Sequence, residues 1–466
     1  MARLGINHII LYVYDVNQPR LKKIRLIQLI AVIFFTVSGG PYGLEPLLTY
    51  AGEHGAILLL LLTPLLWDVP AIFTVLELNS MMPVTGGYYK WVKHALGTRW
   101  GFYEGWWTWL YTFVDLAIYP VLFVTYLGFF FPDVAVHKMQ ICLIIIWASA
   151  GLNILGIVPV GKVSVFLGAV VIMPFIILFI LAFYHHSGSI ALASPSLKGI
   201  TLPSLGMALY TIMWNCLGWD NTTTYAEEVE KPIRSYLIST FIAFAIVIVI
   251  YFLTIWIAQF SGISAATLAN NGFPALAVLI GGHWLGAFVA IAGMASCLGI
   301  YASVLLSVSR VPMVMADDKL LPARLNKKHK KFNTPYISII VCSVVVSAMV
   351  RWGFTDLLII DVIVYGAGLS LEYIALIRMR IMEPHTHRPF KIPLGVPGLC
   401  IGLLLPVTVY FAALSGALSS TPSATSSSVS AAIFAIVILL SAEVLWQVIV
   451  WRKKGASSKT SGESSD

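Results

Sequence analysis

Phe35-Thr36-Val37-Ser38-Gly39-Gly40-Pro41-Tyr42-Gly43 stands in the middle of the first apolar stretch of this 466-residue chain, and Met213-Trp214-Asn215-Cys216-Leu217-Gly218-Trp219-Asp220-Asn221 in the middle of the sixth. The glycines and the proline of the first segment do not continue an α-helix, because glycine gives up helix propensity and proline lacks the amide that the ladder needs. In hydrocarbon an unpaired backbone group is expensive, so irregular backbone at membrane depth is tolerated only inside the protein or along a water-filled cavity. Both segments are therefore expected to be broken helices lining an interior. They open the two halves of a five-plus-five arrangement, and interrupted spans at matching positions point to an inverted-repeat transporter with its site near the bilayer midplane. The break itself supplies chemistry: half-helix N-termini present free N–H groups and a positive dipole end, and C-terminal ends present carbonyls that attract cations. Ser38, Gly39 and Gly40 are expected to let a ligand approach the backbone, with Tyr42 beside them, and Asn215 to Gly218 to supply facing carbonyls.

Composition makes lipid the solvent. Hydrophobic residues are 59% of the chain, charged residues 11%, and mean hydropathy is +0.87, whereas a soluble domain carries about 25% charged residues. Twelve apolar segments have the length needed to cross the bilayer, centred on 26–50, 55–79, 101–131, 139–157, 163–186, 204–228, 236–260, 283–309, 335–350, 356–377, 396–416 and 430–451. With the N-terminus in the cytoplasm, every one of the 29 Lys and Arg except Lys138, Lys198 and Arg351 falls on the cytoplasmic side, so both termini are expected there. The net charge of +8 and the cluster Arg324, Lys327, Lys328, Lys330, Lys331 are read as topology anchors beside anionic lipid rather than as a nucleic-acid patch. The expected organisation is a cytoplasmic segment 1–25, a first five-helix repeat 26–186, a second repeat 204–378, helices eleven and twelve in 395–452, and a disordered cytoplasmic tail 453–466. The five cysteines are scattered and suit neither a metal site nor a disulfide framework. No cleavable signal peptide is expected. No metal cluster, catalytic triad or phosphate loop is visible, so neither an enzyme nor a cofactor is expected.

Acidic residues inside spans are the functional candidates, since a charge at the bilayer centre costs about 2.5–3.5 kcal/mol on insertion scales. They are Asp68, Asp115, Asp220, Asp361 and Glu372, with Glu45 just past the first break; no Lys or Arg lies deep in a span. Such acids need a counterion or a proton. A polyamine, with several positive charges and no carboxylate, suits them, whereas an amino acid also needs a clamp for its carboxylate, which the Gly39-Gly40 amides provide. Glu45 serves equally as a helix cap or a ligand contact. Asp115, with Tyr111 and Tyr119 one turn to either side, and Asp361, one turn from Tyr365, are expected at the ligand; Glu372 is expected to be structural. Asp68 and Glu227 are candidates for coupling or gating, and Glu77 and Glu228 for gating or structure. Trp214 and Trp219 flank the second break, where an indole face either holds an alkylammonium or packs.

Leu78-Asn79-Ser80-Met81-Met82-Pro83-Val84-Thr85-Gly86-Gly87-Tyr88-Tyr89 resembles the hallmark after span 2 of the amino acid–polyamine–organocation superfamily. Lys90-Trp91-Val92, Ala95-Leu96-Gly97, Trp100-Gly101-Phe102, Tyr119-Pro120-Val121-Leu122-Phe123 and Ser38-Gly39-Gly40-Pro41-Tyr42-Gly43-Leu44-Glu45 look like its polyamine uptake branch. Trp219-Asp220, Ala226-Glu227-Glu228-Val229 and His387-Arg388-Pro389-Phe390-Lys391-Ile392-Pro393 are similar to the same branch. The resemblance covers residues 26–400. It implies an all-α membrane fold of twelve helices, a five-plus-five inverted repeat with helices 1 and 6 broken plus two extra helices, and alternating access driven by a proton or the membrane potential. It also implies a plasma-membrane location. Asp361 and Tyr365 match positions of the polyamine branch; Asp68 departs from it, the branch carrying a glutamate where this chain has Ala71. The position matching a coupling lysine in some relatives is Val171, so that device is expected to be absent. No cysteine lies in 131–138, so no disulfide-linked heavy chain is expected. The expected function is import of polyamines, substrate contacts coming from Ser38, Gly39, Gly40, Tyr42, Glu45, Asp115, Asn215, Gly218, Trp219, Asp220, Asp361 and Tyr365. The alternative is a cationic or neutral amino acid permease on the same fold.

Overall fold

A helix is the local structure that satisfies its backbone without a neighbouring strand, and apolar runs of this length adopt it. A computed structural model of the protein describes residues 23–185, 194–351, 354–419 and 428–462, so most of the expected N-terminal segment and the last four residues lie outside the described residues. Among the described residues the only β contacts are two isolated bridges, Ile24 to Val229 and Thr85 to Tyr225.

The helices are α1 (Leu26–Val37), α2 (Leu47–Met81), α3 (Gly87–Leu96), α4 (Thr98–Leu127), α5 (Pro132–Ile154), α6 (Ile157–His185) and α7 (Leu202–Trp214). They continue as α8 (Pro232–Phe260), α9 (Ala265–Gly281), α10 (His283–Asp317), α11 (Tyr336–Met349), α12 (Phe354–Met382), α13 (Val396–Gly416) and α14 (Ser428–Gly462). Among the described residues nine are long and apolar enough to cross a membrane; α1, α7, α9 and α11 are shorter apolar helices.

The two short helices α1 and α7 stop where the glycines and polar residues begin. After Val37 the chain is irregular until Leu47, where α2 begins with a brief helical stretch that kinks at Gly52 (φ +64°) before the helix continues. After Trp214 it is irregular to Asp220 and continues as two 3-10 turns, Asn221–Thr224 and Ala226–Glu228, rather than as α-helix. Pro64 and Pro70 in α2 are absorbed by a π turn at Pro64–Asp68.

Two further helices lie between the expected spans. The amphipathic α3 crosses the basic end, and α9 folds over the opposite, neutral end; Gly272 (φ +69°) and Pro274 cut the apolar pattern of α9 into pieces too short to read as a helix. The last helix is described through Gly462.

α4 and α10 pack together at the centre. α10 also contacts α6 and α9, α12 packs on α4, α1 lies against α6 and α8, and α7 lies against α2 and α13. α10 and α12 are buried over most of their length, while α14 keeps most of its surface outward. Large apolar side chains such as Ile144, Phe166, Ile180 and Leu440 face out, as expected of a surface that meets lipid.

Candidate functional site

The two ruptures lie against one another, and Tyr251 of α8 joins them. Its hydroxyl lies 2.7 Å from Ser38 Oγ and donates to the Asn215 carbonyl at 2.6 Å. Ser38 Oγ accepts from the Gly40 amide at 3.1 Å. Gly39 adopts φ +66°, and a Cβ there would stand 2.5 Å from Ile300 Cδ1 and 2.7 Å from Ser296 Oγ, so only glycine fits. Ser296 Oγ is buried without a hydrogen-bond partner and faces this backbone. Across the gap the Gly218 amide donates to Tyr365 Oη at 3.3 Å, and that hydroxyl donates to Asp220 Oδ1 at 2.9 Å.

Carboxyl groups line the interior at three levels. Towards the neutral end Glu45 accepts from the Gly43 amide (2.5 Å) and Tyr126 Oη (2.8 Å). At the middle level Asp115 of α4 accepts from Tyr119 Oη at 2.5 Å. Asp361 of α12 faces Asp115 and Tyr119; it is buried, and neither of its oxygens has a hydrogen-bond partner. Towards the basic end Asp220 comes within hydrogen-bonding reach of Glu372, and Glu104 stands beside both. Aromatic faces separate the levels: Tyr111 meets Tyr365 edge-on at 5.3 Å, and Tyr119 stacks on Trp214 at 6.1 Å.

The levels are set by helix geometry. Gly368 packs against Glu104, Tyr111 against Tyr365 and Asp115 against Asp361, so α4 and α12 run antiparallel. Glu104 and Asp115 are eleven residues apart on α4, as are Asp361 and Glu372 on α12; at 1.5 Å per residue each step is about 16 Å.

Both ends are closed over these groups. At the neutral end Tyr42 Oη donates to the Val289 carbonyl at 2.8 Å, and its ring meets Tyr126, Phe175 and Phe273 edge-on. At the basic end the Gly86 amide donates to the Thr224 carbonyl (2.8 Å) and Thr85 Oγ1 to Glu227 (2.6 Å). Arg310 forks onto Glu228 at 2.6 and 3.0 Å. Glu77 accepts from Arg380 Nε (2.5 Å) and Nη2 (2.6 Å) and from the Ile392 amide (2.8 Å), with Arg388 Nε 3.3 Å away. Nearby, burial raises the Asp318 carboxyl, but hydrogen bonds from Lys93, Tyr89 and Lys90 outweigh it and hold the group below the usual carboxylate range.

Ser38, Gly39, Gly40, Asn215, Gly218, Asp220 and Tyr365 thus meet in one hydrogen-bonded junction, with Asp115 and Asp361 facing each other at the middle level. Tyr42 and Glu45 lie one level out, in the neutral-end closure. Trp219 turns towards α2: its indole donates to Asp68 Oδ1 at 3.1 Å and packs edge-on to Phe244, and the Cys216 thiol of the rupture also reaches Asp68. Glu227 is at the basic-end surface. Arg310 and Arg380 are buried within spans, their long side chains carrying the charge to Glu228 and Glu77. Glu372, expected to be structural, lies against Asp220. Glu104, Tyr251 and Ser296 were not anticipated; the available signal for Glu104 was its eleven-residue spacing from Asp115, which puts both on one helical face.

A profile of the amino acid permease family matches residues 24–442. The polyamine transporter RMV1 of Arabidopsis thaliana is 31% identical over 407 residues, 86% of this chain and 81% of its own length. The polyamine transporter PUT1 of Oryza sativa subsp. japonica is 32% identical over 408 residues, 84% of this chain and 73% of its own length. The serine/threonine exchanger SteT of Bacillus subtilis (strain 168) is 24% identical over 340 residues, 68% of this chain and 74% of its own length. With its apolar helices, its paired ruptures and a family match from Ile24 to Ala442, the chain belongs to the amino acid permease family and is a multi-pass membrane transporter, not an enzyme.

Proposed function

We propose that this chain imports polyamines by alternating access, driven by proton symport, the membrane potential or both. The observation that carries the reading is Asp361, buried with two unpartnered oxygens opposite Asp115. The buried arginines Arg310 and Arg380 are already held by Glu228 and Glu77. An organic cation supplies the missing counter-charge, and the Tyr119, Trp214 and Tyr365 rings offer faces for its alkylammonium groups. Relatives described as polyamine transporters support the same substrate class. A potential of 100 mV contributes about 2.3 kcal/mol per charge, so a divalent amine gains about 4.6 kcal/mol, on the order of a thousandfold accumulation.

The proposed architecture is twelve spans in a five-plus-five inverted repeat plus two helices. It is supported by matching neighbours: α1 packs on α8 as α7 packs on α2, and α6 packs on α10 as α12 packs on α4. The basic residues favour both termini in the cytoplasm, and the family resemblance implies the plasma membrane. Neither a nucleic-acid partner nor a disulfide-linked heavy chain belongs to this reading.

The test is uptake of labelled putrescine and spermidine into liposomes holding the purified protein, under an inside-negative potential. Saturable uptake that is lost in Asp361→Asn is expected. A second reading, an amino acid permease, is favoured by the tight backbone at Gly39 facing the unpartnered Ser296 hydroxyl and by the relative described as a serine/threonine exchanger. Transport of arginine, leucine, alanine or serine without polyamine uptake would establish that reading instead.

A further inference from the structure

Glu104 on α4, Asp220 at the end of the second rupture and Glu372 on α12 converge one level below Asp361, and all three are buried. An ionised carboxylate only accepts hydrogen bonds, so the reach between Asp220 and Glu372 becomes a bond when one of them carries a proton. Glu104 Oε1 accepts from Thr108 at 3.2 Å, and the absence of a side chain at Gly368 leaves room for this carboxyl, since a Cβ there would stand 3.0 Å from Oε1. One oxygen of Glu104 and one of Glu372 are buried without a partner, as is the Tyr88 hydroxyl, which α3 directs at all three acids. The other titratable groups facing the cluster are Tyr111 of α4 and Tyr365 and Tyr373 of α12. Among the described residues no lysine, arginine or histidine pairs with any of the three; Arg310, Arg380 and Arg388 are engaged by Glu228 and Glu77.

We propose that Asp220, Glu372 and Glu104 form a proton-binding site, distinct from the amine site at Asp115 and Asp361, and that the proton it holds is the ion coupled to transport. The inference rests on the transporter reading above and deepens it. Three acids packed this closely do not all stay ionised. Closing over them binds a proton on a carboxylate oxygen, and opening to solution releases it; only that O–H bond forms and breaks. Coupling has a physical route. Tyr365 donates to Asp220 and sits one turn from Asp361 on the same helix, so occupancy at either level acts on α12. Because the proton and the ammonium use different oxygens they do not displace each other, which gives symport rather than exchange of one for the other.

Two measurements test this on the full chain. Infrared difference spectra of the solubilised protein between mildly acid and mildly alkaline buffer, without substrate, should contain a protonated-carboxyl band that is lost in Glu372→Gln. In liposomes at zero potential, Glu372→Gln should retain spermidine counterflow exchange, its amide standing in for the protonated acid, and lose accumulation driven by an inward proton gradient. A band unchanged in the variant, gradient-driven accumulation that survives, or loss of exchange in monodisperse protein would each overturn the proposal. Should Glu372→Gln not fold, Glu104→Gln is read by the same criteria. Should the wild-type protein take up no polyamine, the substrate reading fails and the infrared band alone decides the proton site.

Discussion

Replacing Glu77 by glutamine removes the one charge that ties α2 to both Arg380 of α12 and the segment after it. The carboxylate is fully buried, and the Arg380 and Arg388 side chains are 6% and 3% exposed, so solvent screens the cluster little. It accepts two short bonds from Arg380 and one from the Ile392 amide, with Arg388 at 3.3 Å. Glutamine keeps the volume but offers one acceptor oxygen and turns an NH2 group towards a guanidinium. Removing one partner of a buried ion pair costs about 3–5 kcal/mol because the other charge stays buried uncompensated; with two guanidinium groups sharing Glu77, the upper half of that range is expected. Unfolding of the detergent-solubilised protein in a denaturing-detergent titration, followed by tryptophan fluorescence, measures the loss for Glu77→Gln, Arg380→Gln and the double variant. The double variant should cost less than the sum of the singles by about 1–3 kcal/mol. Single-variant losses below about 0.5 kcal/mol, the range of unconstrained surface changes, would refute the latch. Strict additivity would refute the pairing.

Gly39→Ala should cost about 1–2 kcal/mol from the left-handed backbone and about 1–3 more from overpacking against Ile300. Adding Ile300→Ala should restore the steric share and leave the backbone share, and a Gly39→Ala protein as stable as wild type would count against the close approach. Asp318, held below the ordinary carboxylate range by its three donors, contributes stability that is present above its unfolded value of about 3.9 and lost as pH falls through the lower folded value. The stability difference between wild type and Asp318→Asn should therefore be constant from neutral pH down to about pH 5 and shrink below it. A difference that widens on acidification would contradict the hydrogen-bond set.

Reading the sequence found the ruptures because their causes are local: Gly39, Gly40, Pro41 and Gly43 cannot propagate a helix wherever they stand, and Asn215 to Asp220 carries too much polarity for lipid. The interior acids were legible for the same kind of reason, since cost at depth is a property of one residue. Pairing is not. Glu104 lies near the start of α4 and reads as a helix-end acid until α12 docks antiparallel and brings Glu372 beside it. Trp214 and Trp219 were equivalent by spacing, yet the chain between them has left the helix, so periodicity no longer says which way each points. One meets Tyr119 and the other Asp68. Arg380 stands near the basic end of α12, and its pairing with Glu77, three hundred and three residues away in sequence, is not legible from local pattern.

The docking of α12 on α4 also explains why polar groups survive at this depth. Glu104, Thr108, Tyr111, Asp115 and Tyr119 recur at three- and four-residue steps on α4, and Asp361, Tyr365 and Glu372 fall on one face of α12. These are the positions that would be apolar in a soluble helix pair. Here the solvent outside the bundle is lipid, so the seam between helices is where carboxyls and hydroxyls find one another rather than hydrocarbon. A seam of this kind gains little from apolar packing and depends on what neutralises it. Among the described residues Asp361 has no counter-charge, and Glu372 faces Asp220 and Glu104, both acids. On the proposed reading, a bound cation at one level and a bound proton at the other would complete the same seam, with the closures at Tyr42 and at Glu77 at its opposite ends. Arg380, two turns beyond Glu372 on α12, ties the basic-end closure to that same helix. The groups that would select the cargo, hold the coupling ion and latch one end therefore ride on a single rigid element, and a shift of α12 relative to α4 changes all three together.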